Sequence, residues 1–457
     1  PGLSGSRLAR NATVQRMSES QRDAGLVRAI GPFGLAANIV NVIIGAGIFA
    51  VPGALAACIG PYAPLAFVVC AIAVGSVAVC FAEGGSRIPT SGGAYGYVEA
   101  AFGPLTGYVA GTLLWLGDVL ACGGVAAALA DAAVSLLPPQ FKAPIHAAVI
   151  VGVIGGIALV NVGGVTRGTR LVNLATIVKL VPLVIFVAAG AWAIHGANFV
   201  QTVAPTTRGL GRAMLLAMFV VTGMECSLSV SGEVAQPSRT IPRALAMAIG
   251  SVVVLYVAIQ ITAQGILGAS LAQSTVPLAD AMARISPTLR VLMLAAAAVS
   301  MLGWISSDIL ATPRILFAFA RDGMLPRVLG RVHARSHAPH VAILCYAVLA
   351  MVLALTGTFA ELAVLATLAT AVLYMAGSAA AWRLARKGVA EAGAPLNFRW
   401  LGTAMVVGIA SMLAMIALAS RAEIVGLIVV VSASVIVYLA QARYRARKNA
   451  VETPTHS

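Results

Sequence analysis

The residues here that could do chemistry are ionisable side chains set inside long apolar runs. Lys179 lies in Thr176-Ile177-Val178-Lys179-Leu180. Asp118 follows Trp115-Leu116-Gly117, Glu225 follows Thr222-Gly223-Met224, and Asp308 comes four residues after Trp304. An ionised side chain at the centre of a bilayer costs about 2.5–3.5 kcal/mol on the insertion scale, so such residues persist where they bind, couple or pair. Two glycine-bearing interruptions accompany them, Ile44-Gly45-Ala46-Gly47-Ile48 and Thr222-Gly223-Met224-Glu225. A helix that unwinds there bares peptide groups, which lipid cannot satisfy but a cavity or a ligand can. Bare N–H groups at a helix start favour an anion such as a carboxylate. Bare carbonyls beside an acidic side chain favour an ammonium. Together they suit a zwitterion, with Gly45, Ala46 and Gly47 toward its carboxylate. The rival reading of the same glycines is a close helix-packing face.

Those residues need membrane elements to position them. The chain has 457 residues, 60% hydrophobic and only 10% charged, whereas soluble domains carry about 25% charged residues. A span needs about twenty apolar residues. Candidates run over roughly 33–59, 63–84, 105–137, 144–162, 168–194, 211–234, 242–267, 288–320, 340–356, 359–382, 400–419 and 422–441. The expected fold is an all-α polytopic membrane protein of about twelve helices, the first and sixth broken. Segment 88–103 is too polar and glycine-rich to span and reads as a short helix or loop at the interface.

With both termini cytoplasmic, 22 of the 30 Lys and Arg residues fall inside and six outside; Lys179 and Arg314 lie within spans. This positive-inside bias supports an even number of spans in a plasma (inner) membrane. Interruptions five spans apart are the mark of an inverted repeat. The expected division is a tail over 1–30, a first repeat over 31–195, a second over 211–382, two added spans over 400–441 and a tail over 442–457. The basic segment before the first span lacks the short apolar core of a signal peptide. Met17 is a candidate start, with residues 1–16 an upstream extension.

Several classes are disfavoured. The net charge of +15 resides in short loops between spans, the pattern of a topology signal rather than of a nucleic-acid face. Cys58, Cys70, Cys80, Cys122, Cys226 and Cys345 form no CxxC or Cys/His set and read as free, packed thiols. No nucleophile elbow, metal motif or phosphate loop argues for an enzyme or a cofactor. Energy would then come from an ion or substrate gradient.

Four ordered motifs give the chain a resemblance. Gly45-Ala46-Gly47-Ile48-Phe49 resembles a GSGIF stretch, and Arg87-Ile88-Pro89-Thr90-Ser91-Gly92-Gly93-Ala94-Tyr95 an RxPxSGGxY loop. Glu233-Val234-Ala235-Gln236-Pro237 with Arg239-Thr240-Ile241-Pro242-Arg243 is similar to GEVxNPxRxIPRA. Arg314 with Ala320-Arg321-Asp322-Gly323-Met324-Leu325-Pro326 is similar to RxxxAxARDGxLP. Over about residues 30–440 the sequence resembles the amino acid–polyamine–organocation superfamily, whose members have the LeuT-like fold. Ala46 departs from the serine of many members but keeps the small size and the backbone donor.

The resemblance implies a mid-membrane site between helices 1, 3, 6, 8 and 10. There Ile43 and the Gly45–Gly47 backbone would meet a carboxylate, Thr222 and Gly223 would lie by an amine, and Phe219 would be an aromatic gate. Lys179 resembles the helix 5 lysine of sodium-independent members, a proton-coupling or ion-mimicking residue; its alternative is snorkelling to the interface. Asp118 stands where arginine and agmatine antiporters place a pocket amide. Three carboxyls, Asp118, Glu225 and Asp308, near one cavity would favour a cationic substrate. Alternatively each is protonated, or pairs with Lys179 or Arg314. Glu233 and Arg239 match a signature that closes the inner gate. Trp304 either lines the pocket or packs. Glu83 with Arg87, at i and i+4, reads as an ordinary surface pair, with a gate as the lesser reading.

The expected function is secondary active transport of amino acids by alternating access, proton-coupled and sodium-independent, with a leaning toward cationic ones. The partners are a small-molecule substrate (an amino acid or amine), protons and the lipid bilayer. A polyamine or diamine carrier, an amino acid/amine antiporter and a non-transporting membrane sensor are the alternatives. No filter sequence supports a channel.

Overall fold

The computed structural model describes residues 30–45, 47–88, 93–135, 137–163, 179–200, 204–228, 234–333, 336, 338–390 and 394–452. Ala46, Glu233, Arg167, Arg170 and most of the N-terminal tail lie outside the described residues. Every named element among the described residues is helical.

The first half of the chain contributes α1 (Pro32–Ile43), α2 (Gly47–Ile59), α3 (Ala63–Arg87), α4 (Gly93–Phe102), α5 (Pro104–Val134), α6 (Pro139–Val162) and α7 (Lys179–Ala193). Then come α8 (Thr207–Val221), α9 (Met224–Ser227), α10 (Pro237–Leu267), α11 (Pro277–Ala283), α12 (Pro287–Ala311) and α13 (Pro313–Arg321). The chain closes with α14 (His340–Thr356), α15 (Phe359–Arg386), α16 (Leu401–Ala417) and α17 (Arg421–Glu452). Eight helical stretches are long and apolar enough to cross a membrane, and four shorter apolar helices accompany them.

Proline marks many of the starts: Pro32, Pro104, Pro139, Pro237, Pro277, Pro287 and Pro313 open their helices. Its fixed φ suits a first turn, where the missing N–H would have had no intrahelical partner. Thr358 and Glu361 cap α15 reciprocally, each side chain taking the other's backbone N–H. The expected eighth span is two helices, because Pro313 opens α13 directly after α12.

α5 and α15 pack along each other at the centre of the bundle. Small residues of α5 allow close approach: a Cβ on Gly124 would stand 3.3 Å from Leu362 Cβ of α15. At the periphery Val425, Ile428, Val429 and Ile436 of α17 are each at least 58% exposed. An outward face of that kind is covered by lipid, so the chain is a multi-pass membrane protein.

Of segment 88–103, the described residues form the ten-residue helix α4, half the length a span needs. It buries Tyr97 and Val98, with the Tyr97 ring edge-on to Phe81 at 6.0 Å. Glu83 and Arg87 correct the surface reading, since both are buried. Arg87 Nε donates to Glu83 Oε1 at 2.8 Å, and its other nitrogens donate to the Val389 carbonyl and to Asn397 Oδ1. Glu83 also accepts from the backbone N–H groups of Asn397 and Phe398. The pair therefore fastens the α15–α16 connection onto the end of α3. Sequence spacing suggested only a local i, i+4 contact, because the partners lie some 300 residues away. Cys345 is likewise exposed rather than packed, and none of the six cysteines is in a disulfide.

Candidate substrate-binding site

Helical bonding stops in two places that border one cavity. The last turn of α1 ends with Ile44 N–H on the Val40 carbonyl, Ile44 leaves helical geometry at ψ 72, and α2 starts at Gly47. α8 ends with Thr222 N–H on the Met218 carbonyl, and Gly223 turns the chain at φ +119 into α9. That φ lies in the region open to glycine and strained for other residues.

The carbonyls bared by the first interruption are taken up from three directions. Lys179 Nζ of α7 donates to the Asn41 carbonyl. Tyr256 of α10 donates to the Ile43 carbonyl at 3.1 Å, and Ser300 of α12 to the Gly45 carbonyl at 3.0 Å. Lys179 is buried, so its ammonium is held by the broken helix and does not snorkel. Backbone groups that a continuous helix would satisfy internally thus become acceptors for side chains of other helices.

Between the interruptions lies a cavity of about 300 Å³, at the small end of ligand sites, which span about 300–1,000 Å³. Of the expected site residues it is lined by Ile43, Gly45, Gly47, Asp118, Lys179, Phe219, Thr222, Gly223, Glu225 and Asp308. Trp304 lines it too. Arg239 is exposed in the first turn of α10 and is not among the lining residues. The glycines also serve packing: a Cβ on Gly45 would lie 2.6 Å from the Trp304 ring, and one on Gly47 2.3 Å from Val220 Cγ1. Lining and packing therefore coexist at both positions. Phe219 meets Phe359 edge-on at 5.8 Å.

The three carboxyls are held by hydroxyl and amide donors. The Thr312 hydroxyl stands 3.0 Å from Asp118 Oδ2 and 2.9 Å from Asp308 Oδ1. Tyr346 donates to Asp308 Oδ2. Tyr374 donates to Glu225 Oε2 at 2.6 Å, and Gly223 N–H reaches the same oxygen at 3.0 Å. Glu225 thus caps the start of its own short helix.

Thr312, which lines the cavity, and Tyr346, Tyr374, Tyr256 and Ser300, which hydrogen-bond its carboxyls or the first interruption, are partners that sequence reasoning missed. Thr312 carried a signal, four residues after Asp308. The Tyr374 contact to Glu225 spans 149 residues and carried none. The N-terminal ends of α1 and α10 are also tied, with Ala235 N–H on the Ile30 carbonyl at 3.0 Å.

Fold and cavity together define a polytopic membrane protein with a small-solute chamber at two helix interruptions. The family model described as amino acid permease matches residues 30–440, and the chain belongs to that family, within the amino acid–polyamine–organocation superfamily. One relative, an uncharacterized transporter of Mycobacterium tuberculosis, is 32% identical over 320 residues, 69% of this chain and 70% of its own length. A second uncharacterized transporter of that organism is 30% identical over 324 residues; the match takes 64% of this chain and spans 66% of that relative, just under two thirds. A branched-chain amino acid permease of Lactococcus lactis is 27% identical over 364 residues, covering 74% and 77% of the two chains. A methylthioribose transporter of Bacillus subtilis is 26% identical over 355 residues, covering 73% and 76%. The family and these relatives are transporters, not enzymes.

Proposed function

We propose that the chain is a secondary transporter that moves an amino acid or a related amine by alternating access. The observation that carries this reading is the cavity at two helix interruptions, with the Lys179 ammonium on a carbonyl of the first. The open N–H groups at the start of α2 suit the substrate carboxylate, and the polar surroundings of Thr222 and Gly223 suit its amine. Phe219 closes the chamber from one side. Arg239 and Glu233 belong to the inner gate, which the Ile30–Ala235 tie holds shut. The family of the chain and the branched-chain amino acid permease among its relatives support an amino acid as cargo.

Twelve spans in two inverted repeats, 31–195 and 211–382, plus two added helices fit this mechanism, with both termini cytoplasmic in the plasma (inner) membrane. Lys179 fills the place of a cation on the Asn41 carbonyl of α1, so transport is sodium-independent, and its exchange of a proton couples transport to the proton gradient. A second reading, a preference for cationic amino acids or diamines, is favoured by three carboxyls against one ammonium in the lining. Accumulation of labelled amino acids in proteoliposomes under an imposed proton gradient tests the proposal. Uptake above the equilibrium level supports it, whereas saturable binding without flux would identify a sensor.

A further inference from the structure

Phe219 lines the cavity three residues before Thr222, where the bonding of α8 stops. Its ring touches two other helices. A Cβ on Gly47 would stand 3.2 Å from Phe219 Cε1, so the ring lies against the start of α2. It also meets the ring of Phe359 edge-on at 5.8 Å. Phe359 is 8% exposed and is not among the lining residues, so it stands behind Phe219 as seen from the cavity. The two differ in how they are held. Phe359 is the first residue of α15, directly after the Thr358 cap that bonds reciprocally with Glu361. A Cβ on Gly124 would stand 3.5 Å from the Phe359 carbonyl oxygen and 3.7 Å from its Cδ2, so α5 backs the residue. Phe219 instead precedes the turn at Gly223, and element ends of that kind absorb the backbone rotation of a hinge. The surroundings are apolar: Leu120, Ala121, Leu362 and Ala366 form a small cluster of their own, with Phe219 and Trp304 packed against it. α15 ends on Arg383 and Arg386, an end that the positive-inside bias assigns to the cytoplasm, which puts Phe359 toward the outside.

We infer that Phe359 is the fixed half of the outer gate: Phe219 closes against it, and the contact of the two rings holds the chamber shut toward the outside. The inference rests on the carrier reading and deepens it, adding a positioning residue that does not touch substrate. An edge-to-face ring pair is attractive beyond the area it buries, so the closed arrangement is favoured only while both rings are present. Because the Phe219 ring also rests on Gly47, a substrate at the start of α2 and the closed gate meet at one side chain.

Cys226 lines the cavity and is half-buried, which makes it a reporter of access. Cys58→Ala with Cys345→Ala removes the other cysteines that are not buried and serves as the parent. The rate at which a membrane-impermeant methanethiosulfonate modifies Cys226 is measured on the full chain in intact bacterial cells and in inside-out vesicles. Phe359→Ala should raise the rate in intact cells by about threefold or more, the size of a ring pair's contribution. It should leave the rate in inside-out vesicles unchanged or lower, whereas general loosening of the fold would raise both. Phe359→Leu, which keeps most of the apolar volume and loses the ring, should act in the same direction and serves if the alanine variant fails to fold. Phe219→Ala with Phe359→Ala should raise the rate by less than the product of the two single effects, since the rings act as one device. An unchanged rate in intact cells for both Phe359 variants, a rise from both sides, or effects that multiply in the double variant would each overturn the inference and leave the carrier reading standing. That reading fails separately, if the parent neither binds nor accumulates any amino acid.

Discussion

The Lys179 ammonium donates to the main-chain carbonyl of Asn41 in the last turn of α1, joining residues 138 positions apart. That carbonyl sits where the helix stops, and a buried lysine is costly unless its charge is met. One bond thus ties the charge of α7 to the backbone geometry of the substrate chamber. On the proposed mechanism, protonation of Lys179 and the position of α1 would be linked through it.

Lys179→Ala is expected to abolish proton-linked uptake, by at least about tenfold if the coupling proton is lost. Folding should survive, because alanine leaves no unpaired charge in place of the ammonium. Uptake at several external pH values, beside size-exclusion behaviour of the purified variant, checks this. An unchanged pH profile would remove the coupling role.

Asp118→Asn should weaken lysine or ornithine more than leucine, because it removes a negative charge and keeps the shape. A loss of about tenfold for the cationic substrate against less than threefold for the neutral one fits one removed charge contact in a partly solvated cavity. Competition against labelled substrate measures both. Equal losses would reject the cationic reading.

Arg87→Met should lower the thermal stability sharply, since it strands Glu83 in the interior. Breaking a buried pair by removing one partner costs about 3–5 kcal/mol. Glu83→Gln with Arg87→Met should recover part of it, as the charge disappears with its partner. A stability unchanged by the single substitution would show that the pair is solvated after all.

Much of this arrangement was legible in the sequence, and the boundary is physical. Apolar run length set the helices, since lipid admits little else. The glycines at 45, 47 and 223 announced the interruptions because their chemistry is local. Glu83 and Arg87 misled for the converse reason: their i, i+4 spacing is local, but their burial comes from Val389, Asn397 and Phe398 on a distant connection. The hydroxyl donors to Glu225 and Asp308 come from Tyr374 and Tyr346, which periodicity marks only as aromatic residues in spans.

Gly47→Ala is expected to destabilise by about 1–3 kcal/mol through overpacking, because its Cβ would meet Val220 Cγ1 at 2.3 Å. Combining it with Val220→Ala should restore most of the stability, measured by thermal unfolding. Failure of the double variant to recover would place the cost in the backbone of the interruption instead.

Amide hydrogen exchange across the two interruptions tests the central claim most directly, with and without the amino acid that stabilises the protein most. The open N–H groups at the start of α2, which hold the substrate carboxylate, should exchange at least about tenfold more slowly over Gly47–Phe49 when that amino acid is bound. Protection that appears only elsewhere in the protein, with Gly47–Phe49 unchanged, would contradict the account.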